Sequence, residues 1–345
     1  MTVTTPQWHD IYVTVVGDVM LDMYLYGKST RLNPERPAAP LLDVDISKIT
    51  YHLGGAANVT HNIRTLTGHP SLVGVVGNDH FSRIFTRLLR RQAAEAGIHT
   101  TFYCDETRPT TLKVRAVEES HNDQVTRLDF EKKHPIAFSL AKIITENIRL
   151  TLSSQHALVF SDYAKGFLTS DVIAPLIDYA CAQRIPVLVD PKPANIDLFR
   201  GCTVITPNLG EAESIAGSFS RAFSSRDSYL EALCRKLQER TKTPFTIITC
   251  GPEGIIGIDI QGNYHHAPTP QVRHLFDVVG AGDAVLAVLA LYFGQHYGKD
   301  SFDFDEALRL ANLAGYIKVG KTGTSPVTLE ELLAAQTDLH PTKPI

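Results

Sequence analysis

The sequence predicts an α/β protein with a mostly parallel central sheet and helices on both faces, and three observations predict it. Short runs rich in Val and Ile alternate with segments of helical period along the chain. Polar and glycine-bearing turns follow several of these runs, where doubly wound sheets place their ligands. The composition is 43% hydrophobic and 20% charged over 345 residues, enough to bury a large core and to exclude global disorder.

The elements follow in order. Residues 11–19, 71–77, 157–161, 186–190, 203–206 and 245–249 read as buried strands. Residues 56–66, 81–96, 138–152, 170–183 and 228–240 between them read as amphipathic helices. Two regions break this alternation. Residues 41–46 alternate apolar and acidic side chains, and 113–119 and 124–131 flank a hairpin-like turn at Ser120-His121-Asn122-Asp123. Period-2 strands of this kind suggest a small sheet inserted at about 22–52 and 100–131. A lid over a cleft and an edge extension of the main sheet both account for it. The folded unit is expected to run from 11 to 333, with 334–345 as a loose tail carrying Pro341 and Pro344.

A net charge of −4 gives no reason to expect nucleic acid or a membrane surface as partner. The five cysteines are scattered and form no C-x-x-C pair, which fits a reducing compartment. The first ten residues lack a signal pattern, and no apolar run reaches membrane-spanning length. These features point to the cytoplasm.

The most informative stretch is Asp277-Val278-Val279-Gly280-Ala281-Gly282-Asp283, which opens into an apolar run from 284 to 293. Gly280, Ala281 and Gly282 let the backbone approach an anion, and a helix N-terminus directs free N–H groups at it. Asp283 beside them can take a proton from a hydroxyl. Anion cradle plus adjacent base suits phosphoryl transfer to an alcohol. Taken alone, the same residues also make an ordinary tight turn with a helix cap.

Gly315-Tyr316-Ile317-Lys318-Val319-Gly320-Lys321-Thr322 matches the P-loop pattern in form only. A P-loop follows a strand and opens a helix, whereas this match follows a helix-period segment and is broken by Gly323-Thr324-Ser325-Pro326. Other clusters follow strand ends. Gly17-Asp18-Val19-Met20-Leu21-Asp22 offers carboxylates to hydroxyls or caps to a turn. Gly54-Gly55-Ala56-Ala57-Asn58 opens a helix with two glycines and an amide. Ser161-Asp162-Tyr163-Ala164-Lys165-Gly166 and Asp190-Pro191-Lys192 bring lysines, and Asn208-Leu209-Gly210-Glu211 brings an amide and a carboxylate suited to hydrated Mg²⁺. The histidines have no metal-ligand spacing, and a G-x-G-x-x-G dinucleotide fingerprint is absent after the first strand.

Together these segments resemble the ribokinase-like (PfkB) carbohydrate kinase family, over about 11–333. The resemblance is carried by the 277–283 signature and by Gly54-Gly55-Ala56-Ala57-Asn58. Arg31-Leu32-Asn33-Pro34-Glu35, Arg127-Leu128-Asp129-Phe130-Glu131, Ser161-Asp162-Tyr163-Ala164-Lys165-Gly166, Asp190-Pro191-Lys192 and Thr206-Pro207-Asn208-Leu209 are most similar to its heptose 7-phosphate kinase branch. The resemblance implies a ribokinase-like fold and ATP-dependent phosphorylation of D-glycero-β-D-manno-heptose 7-phosphate at O1. It implies Asp283 as base, with Gly280, Ala281 and Gly282 as the anion hole. Asn208 and Glu211 would organise Mg²⁺ and phosphate, and Asp277, Thr249, Gly251, Gly254 and Asn312 would lie beside the nucleotide. Asp22, Gly54, Gly55 and Asn58 would hold sugar hydroxyls, and Arg127, Lys165 and Lys192 the 7-phosphate. The inserted strands would form a lid and a homodimer contact.

The chain departs from the family pattern at three places. Val278 and Val279 stand where a threonine is common, which bears on rate and on a monovalent cation. Ala287 stands where glycine is common, and Pro193-Ala194 stiffens the loop after Lys192. Too few residues follow Gly323 for a nucleotidyltransferase domain, so a stand-alone kinase or a piece of a longer chain is expected. A kinase for another sugar, sugar phosphate or nucleoside, and a non-catalytic sugar-phosphate sensor, are the competing readings.

Overall fold

The computed structural model describes residues 6–29, 31, 33–35, 41–96, 98–121, 123–219, 223–270 and 277–339. Leu32, Asn122, residues 30 and 36–40, and residues 340–345 of the segments named above lie outside them. The first strands are β1 (Tyr12–Gly17), β2 (Val19–Lys28), β3 (Asp43–Val44), β4 (Thr50–Gly55), β5 (His69–Val76), β6 (His99–Cys104), β7 (Leu112–Glu118) and β8 (Asp123–Phe130). They are followed by β9 (Ala157–Ser161), β10 (Val187–Asp190), β11 (Val204–Ile205), β12 (Phe245–Thr249), β13 (Ile255–Ile258) and β14 (Tyr264–Ala267). The helices are α1 (Ala56–Thr65), α2 (His80–Ala96), α3 (Phe138–Leu152), α4 (Ser170–Ala182), α5 (Leu209–Ala216), α6 (Arg226–Thr241), α7 (Ala281–His296), α8 (Phe304–Val319) and α9 (Leu329–Leu339).

The main sheet has the order β14-β13-β12-β11-β10-β9-β1-β5-β6. It is parallel from β12 to β6, and β13 and β14 add an antiparallel edge. Its central strands are mostly apolar because both faces are covered, with Thr14 in β1 and Thr246 in β12 as buried exceptions. Side chains alternate between two cores. Val13, Val15, Ala157, Val159, Leu188 and Phe245 face the core built with α1, α7 and α8. Val16, Leu158, Phe160, Val189 and Ile248 face the core built with α3, α4 and α6. The apolar run from 284 to 293 makes α7 buried on all sides, as an all-round apolar helix must be.

A second sheet, ordered β3-β2-β7-β8 with β4 also on β2, stands apart from the first. Three details differ from the sequence expectations. The run 11–19 is broken at Asp18, whose N–H donates to Ser161 and whose carbonyl accepts from Ala56. β1 therefore stays in the main sheet while β2 leaves it, and uniform apolarity on either side hid the break. β6 pairs with β5 in the main sheet, completing a β–α–β crossover through α2, so the second insertion starts at Leu112 rather than near 100. The chain after 333 continues α9 to Leu339. Thr328 and Glu331 form a reciprocal cap at its start, a T-x-x-E signal present in the sequence. The P-loop look-alike lies in the last turns of α8, with Gly320 as its cap. Among the described residues no helix is long and apolar enough to cross a membrane.

Phe293 is fully buried and packs edge-on against Phe245 and Phe302. Phe293→Ala is expected to lower unfolding free energy by about 3–5 kcal/mol, measured by urea denaturation. A loss below about 1 kcal/mol would mean that α7 does not anchor this core.

Candidate active site

The carboxyl ends of β9 to β12 open onto a cavity of about 500 Å³, the position expected for ligands of an open parallel sheet. The N-terminal turn of α7 closes one wall of it. Gly280, the N-cap of α7, has φ of 79°, and a Cβ there would stand 2.7 Å from Asn58 Nδ2. Both facts demand glycine. Nothing lies within 4 Å of where a Gly282 Cβ would be. The cavity wall therefore presents open backbone at Gly282, in the first turn, where N–H groups lack intrahelical acceptors. Asp277 shapes the approach to this turn: its carboxylate accepts from Val279 N at 2.9 Å and from Gly323 N at 3.0 Å.

Asp283 is held on both oxygens. Asn58 Nδ2 donates to Oδ2 at 2.6 Å, and the Tyr163 hydroxyl donates to Oδ1 at 3.0 Å. Burial raises the Asp283 pKa, and the two hydrogen bonds oppose that rise. Burial also drives the Tyr163 phenol well above its ordinary value, with the Asp283 charge adding to it. The phenol therefore stays a donor.

On the cavity side, Lys192 pairs with Glu211. Glu211 in turn accepts from Asn208 N at 3.0 Å, and Asn208 Oδ1 accepts from Glu211 N at 3.0 Å, a reciprocal cap of α5. Asp190 is pushed well above the usual carboxyl range by burial, against the pull of Lys192. Thr249 pairs with Asn208 through a β-bridge, and Gly251 and Gly254 line the cavity beside it. Asn312 lines it too, but its amide is spent on Ala267, Pro268 and Thr269.

On the lid side, Asp22 faces Lys113 across β2 and β7, and Arg115 lies 3.5 Å from it. Burial raises the Asp22 pKa, and Arg115 and Lys113 oppose it. A Cβ on Gly54 would stand 2.3 Å from Asp22 Oδ2, so glycine leaves that carboxylate its space. Gly55, the N-cap of α1, leads to Asn58 on the same helix.

The predicted site residues divide between these two sides. Asp283, Gly280, Ala281, Gly282, Asn208, Glu211, Thr249, Gly251, Gly254 and Asn312 line one cavity. The three basic residues read together as a phosphate site are each paired with a different acidic residue. Lys192 is in the cavity, Lys165 pairs with Glu131, and Arg127 pairs with Asp129 at 2.9 Å. Asp18 turns out to cap the loop after β9, accepting from the N–H groups of Tyr163 and Lys165 at 2.9 and 3.1 Å. Sequence reasoning missed Lys113 and Arg115, although two cations two apart in a period-2 strand share a face. It also left Tyr163 without a role, and no sequence signal distinguishes that phenol from an ordinary loop tyrosine.

The pfkB family carbohydrate kinase pattern matches residues 10–331. The chain belongs to this family. The bifunctional protein HldE of Rhodopseudomonas palustris (strain BisB18) is 38% identical to the kinase over 323 residues, 93% of this chain and 62% of that protein. The bifunctional protein HldE of Sodalis glossinidius (strain morsitans) is 38% identical over 332 residues, 96% of this chain and 64% of that one. The kinase thus spans less than two thirds of the length of these relatives. Ribokinase from Giardia lamblia shares the fold at a TM-score of 0.73 and 17% identity, over 96% of this chain and 99% of that one. Phosphofructokinase-2 from Escherichia coli in complex with potassium does so at 0.73 and 17%, over 95% and 98%. This PfkB kinase is a phosphotransferase that acts on a sugar hydroxyl.

The clamp on Asp283 makes a prediction. Tyr163→Phe removes a hydrogen bond that favours the ionised carboxylate, so the Asp283 pKa rises further. Carbon-13 NMR titration of the Asp283 carboxyl reads this directly. An unchanged or lowered pKa would show that the phenol does not stabilise the charge.

Proposed function

We propose that this kinase transfers the γ-phosphoryl group of ATP to the O1 hydroxyl of D-glycero-β-D-manno-heptose 7-phosphate, giving the 1,7-bisphosphate and ADP for nucleotide-activated heptose. The observation that carries the chemistry is Asp283, buried and oriented by Asn58 and Tyr163 beside the open backbone at Gly282. Similarity to the bifunctional HldE proteins over nearly the whole chain supports the choice of a heptose phosphate.

In this reading Asp283 takes the O1 proton as the oxygen attacks the γ-phosphorus. The bond from that phosphorus to the bridging oxygen breaks, and ADP leaves with those electrons. The first-turn N–H groups of α7 bind the oxygens of the moving phosphoryl group, where their fixed dipoles need no reorganisation. Asp22, beside Gly54, accepts from sugar hydroxyls, and the cations Lys113, Arg115, Lys165 and Arg127 take the distal phosphate. Lys192 serves the nucleotide phosphates, since it lies in the cavity beside Glu211.

Mg²⁺ fits the donor chemistry of Asn208 and Glu211, which are hard oxygen ligands at the cavity wall. Glu211 is also engaged by Lys192 and by Asn208 N, and among the described residues no group of three His, Cys, Asp or Glu could hold a metal ion. A hydrated ion shared with the nucleotide phosphates suits this set better than an all-protein cage. When bound, it neutralises phosphate charge. The outer face of the lid carries Leu128 and Phe130, each 52% exposed, and is the proposed homodimer surface.

ADP release against heptose 7-phosphate, fructose 6-phosphate, fructose 1-phosphate, ribose and adenosine tests the acceptor. Turnover confined to the heptose phosphate is expected, and turnover with another acceptor alone would overturn that assignment. Asp283→Asn is expected to lower kcat by about 10²–10⁴-fold with the melting temperature unchanged. Near-full turnover in that variant would sink the mechanism. Because only ionised Asp283 acts as base and burial raises its pKa, kcat/KM falls on acidification from a higher pH than an exposed aspartate would give. A rate flat down to the ordinary carboxyl range would exclude Asp283 as the base.

A further inference from the structure

Lys318, in the last turn of α8, is fully buried, a rare place for an ammonium. It does not line the cavity, and the chemistry above makes no use of it. Its Nζ donates to the Gly323 carbonyl at 2.7 Å. The N–H of the same Gly323 donates to one oxygen of Asp277, whose other oxygen takes the N–H of Val279. The ammonium and the carboxylate that shapes the phosphate-side turn are therefore joined through one residue. The lysine stem reaches the turn itself, since a Cβ on Gly280 would stand 3.3 Å from Lys318 Cε.

A lysine that only capped its own helix would reach the last carbonyls from solvent, keeping its head in water. Lys318 does the opposite. Burial disfavours its charge, and Asp277 and Asp283 counter that effect. The loop it binds is anchored on its far side as well. Val327 N donates to Asn62 Oδ1 at 2.9 Å, and Asn62 Nδ2 donates to the carbonyl of Asn58 at 2.9 Å. The Gly323 loop, the 277–280 turn and the Asn58 support of Asp283 thus form one connected unit with a positive charge inside it.

We propose that Lys318 is a positioning residue for phosphoryl transfer, a tethered cation that holds the 278–282 turn in its anion-accepting shape through Gly323 and Asp277. The proposal rests on the phosphotransferase reading but not on heptose as acceptor. Cutting the side chain to alanine leaves a space bordered by the Gly323 carbonyl and the Asp277 carboxylate, a setting for a small free cation.

The test uses the full chain and whichever acceptor of the panel the unaltered protein turns over. Lys318→Ala is expected to lower kcat about 10- to 100-fold, as misplacement of a reacting group does, with little change in KM for the acceptor. Ammonium or potassium chloride restores part of that rate and raises the melting temperature of the variant, whereas tetramethylammonium at equal ionic strength does neither. The unaltered protein responds to none of them. Lys318→Met fills the space without charge and is expected to lose kcat without rescue. Unchanged turnover in either variant overturns the proposal, as does a folded Lys318→Ala whose rate and melting temperature ignore both small cations. If Lys318→Ala does not fold, Lys318→Met decides by its kcat. Should the unaltered protein transfer phosphate to nothing, the functional reading fails, and the cation-dependent melting shift still tests the tethered charge.

Discussion

The Asp283 carboxylate, gripped by Asn58 and Tyr163, is the constraint to which the remaining structure is fitted. Its partners lie 225 and 120 residues away in sequence. The buried helix α7 delivers the carboxylate, the glycine turn into α1 delivers the amide, and the loop after β9 delivers the phenol. Moving any of these elements breaks a hydrogen bond to a charge that burial already disfavours. Such a bond in a low-dielectric site is stronger when made and costlier when lost.

The acidic residues around the site divide by what their oxygens hold. Asp18 and Asp277 spend them on backbone N–H groups and so set loop shapes. Asp18 is buried deeply enough for its pKa to rise to about 6 despite those bonds. Asp22 and Asp283 hold side chains instead, partners that can be exchanged for a ligand without unravelling a loop, and Asp162 and Glu211 hold groups of both kinds. This separation lets a crowded, negatively charged site keep its backbone fixed while its reactive face stays open.

Much of this was legible from residue patterns. Buried Val and Ile runs marked the central strands because a sheet covered on both faces leaves few polar positions in them. The 280–283 turn was legible through its resemblance to the family signature, since a glycine turn with a carboxylate taken alone is also an ordinary capped helix start. The Asp18 break was not legible, since both sides of it are equally apolar and only the pairing partners differ. The acidic partners of Lys165 and Lys192 were hidden for a related reason: each cation follows a strand, but Glu131 and Glu211 reach it only through tertiary pairing.

By itself, then, the sequence determined the α/β architecture, the family and the glycine turn that opens α7, because these depend on local periodicity and on residues adjacent in the chain. The tertiary structure alone decided which side chains orient Asp283, that the lid face carries Lys113 and Arg115 beside Asp22, and that an ammonium lies buried behind the turn. Those are contacts between segments far apart in sequence. Their energies depend on burial and on distances of a few ångströms, which exist only once the sheet, α1, α7 and α8 have packed.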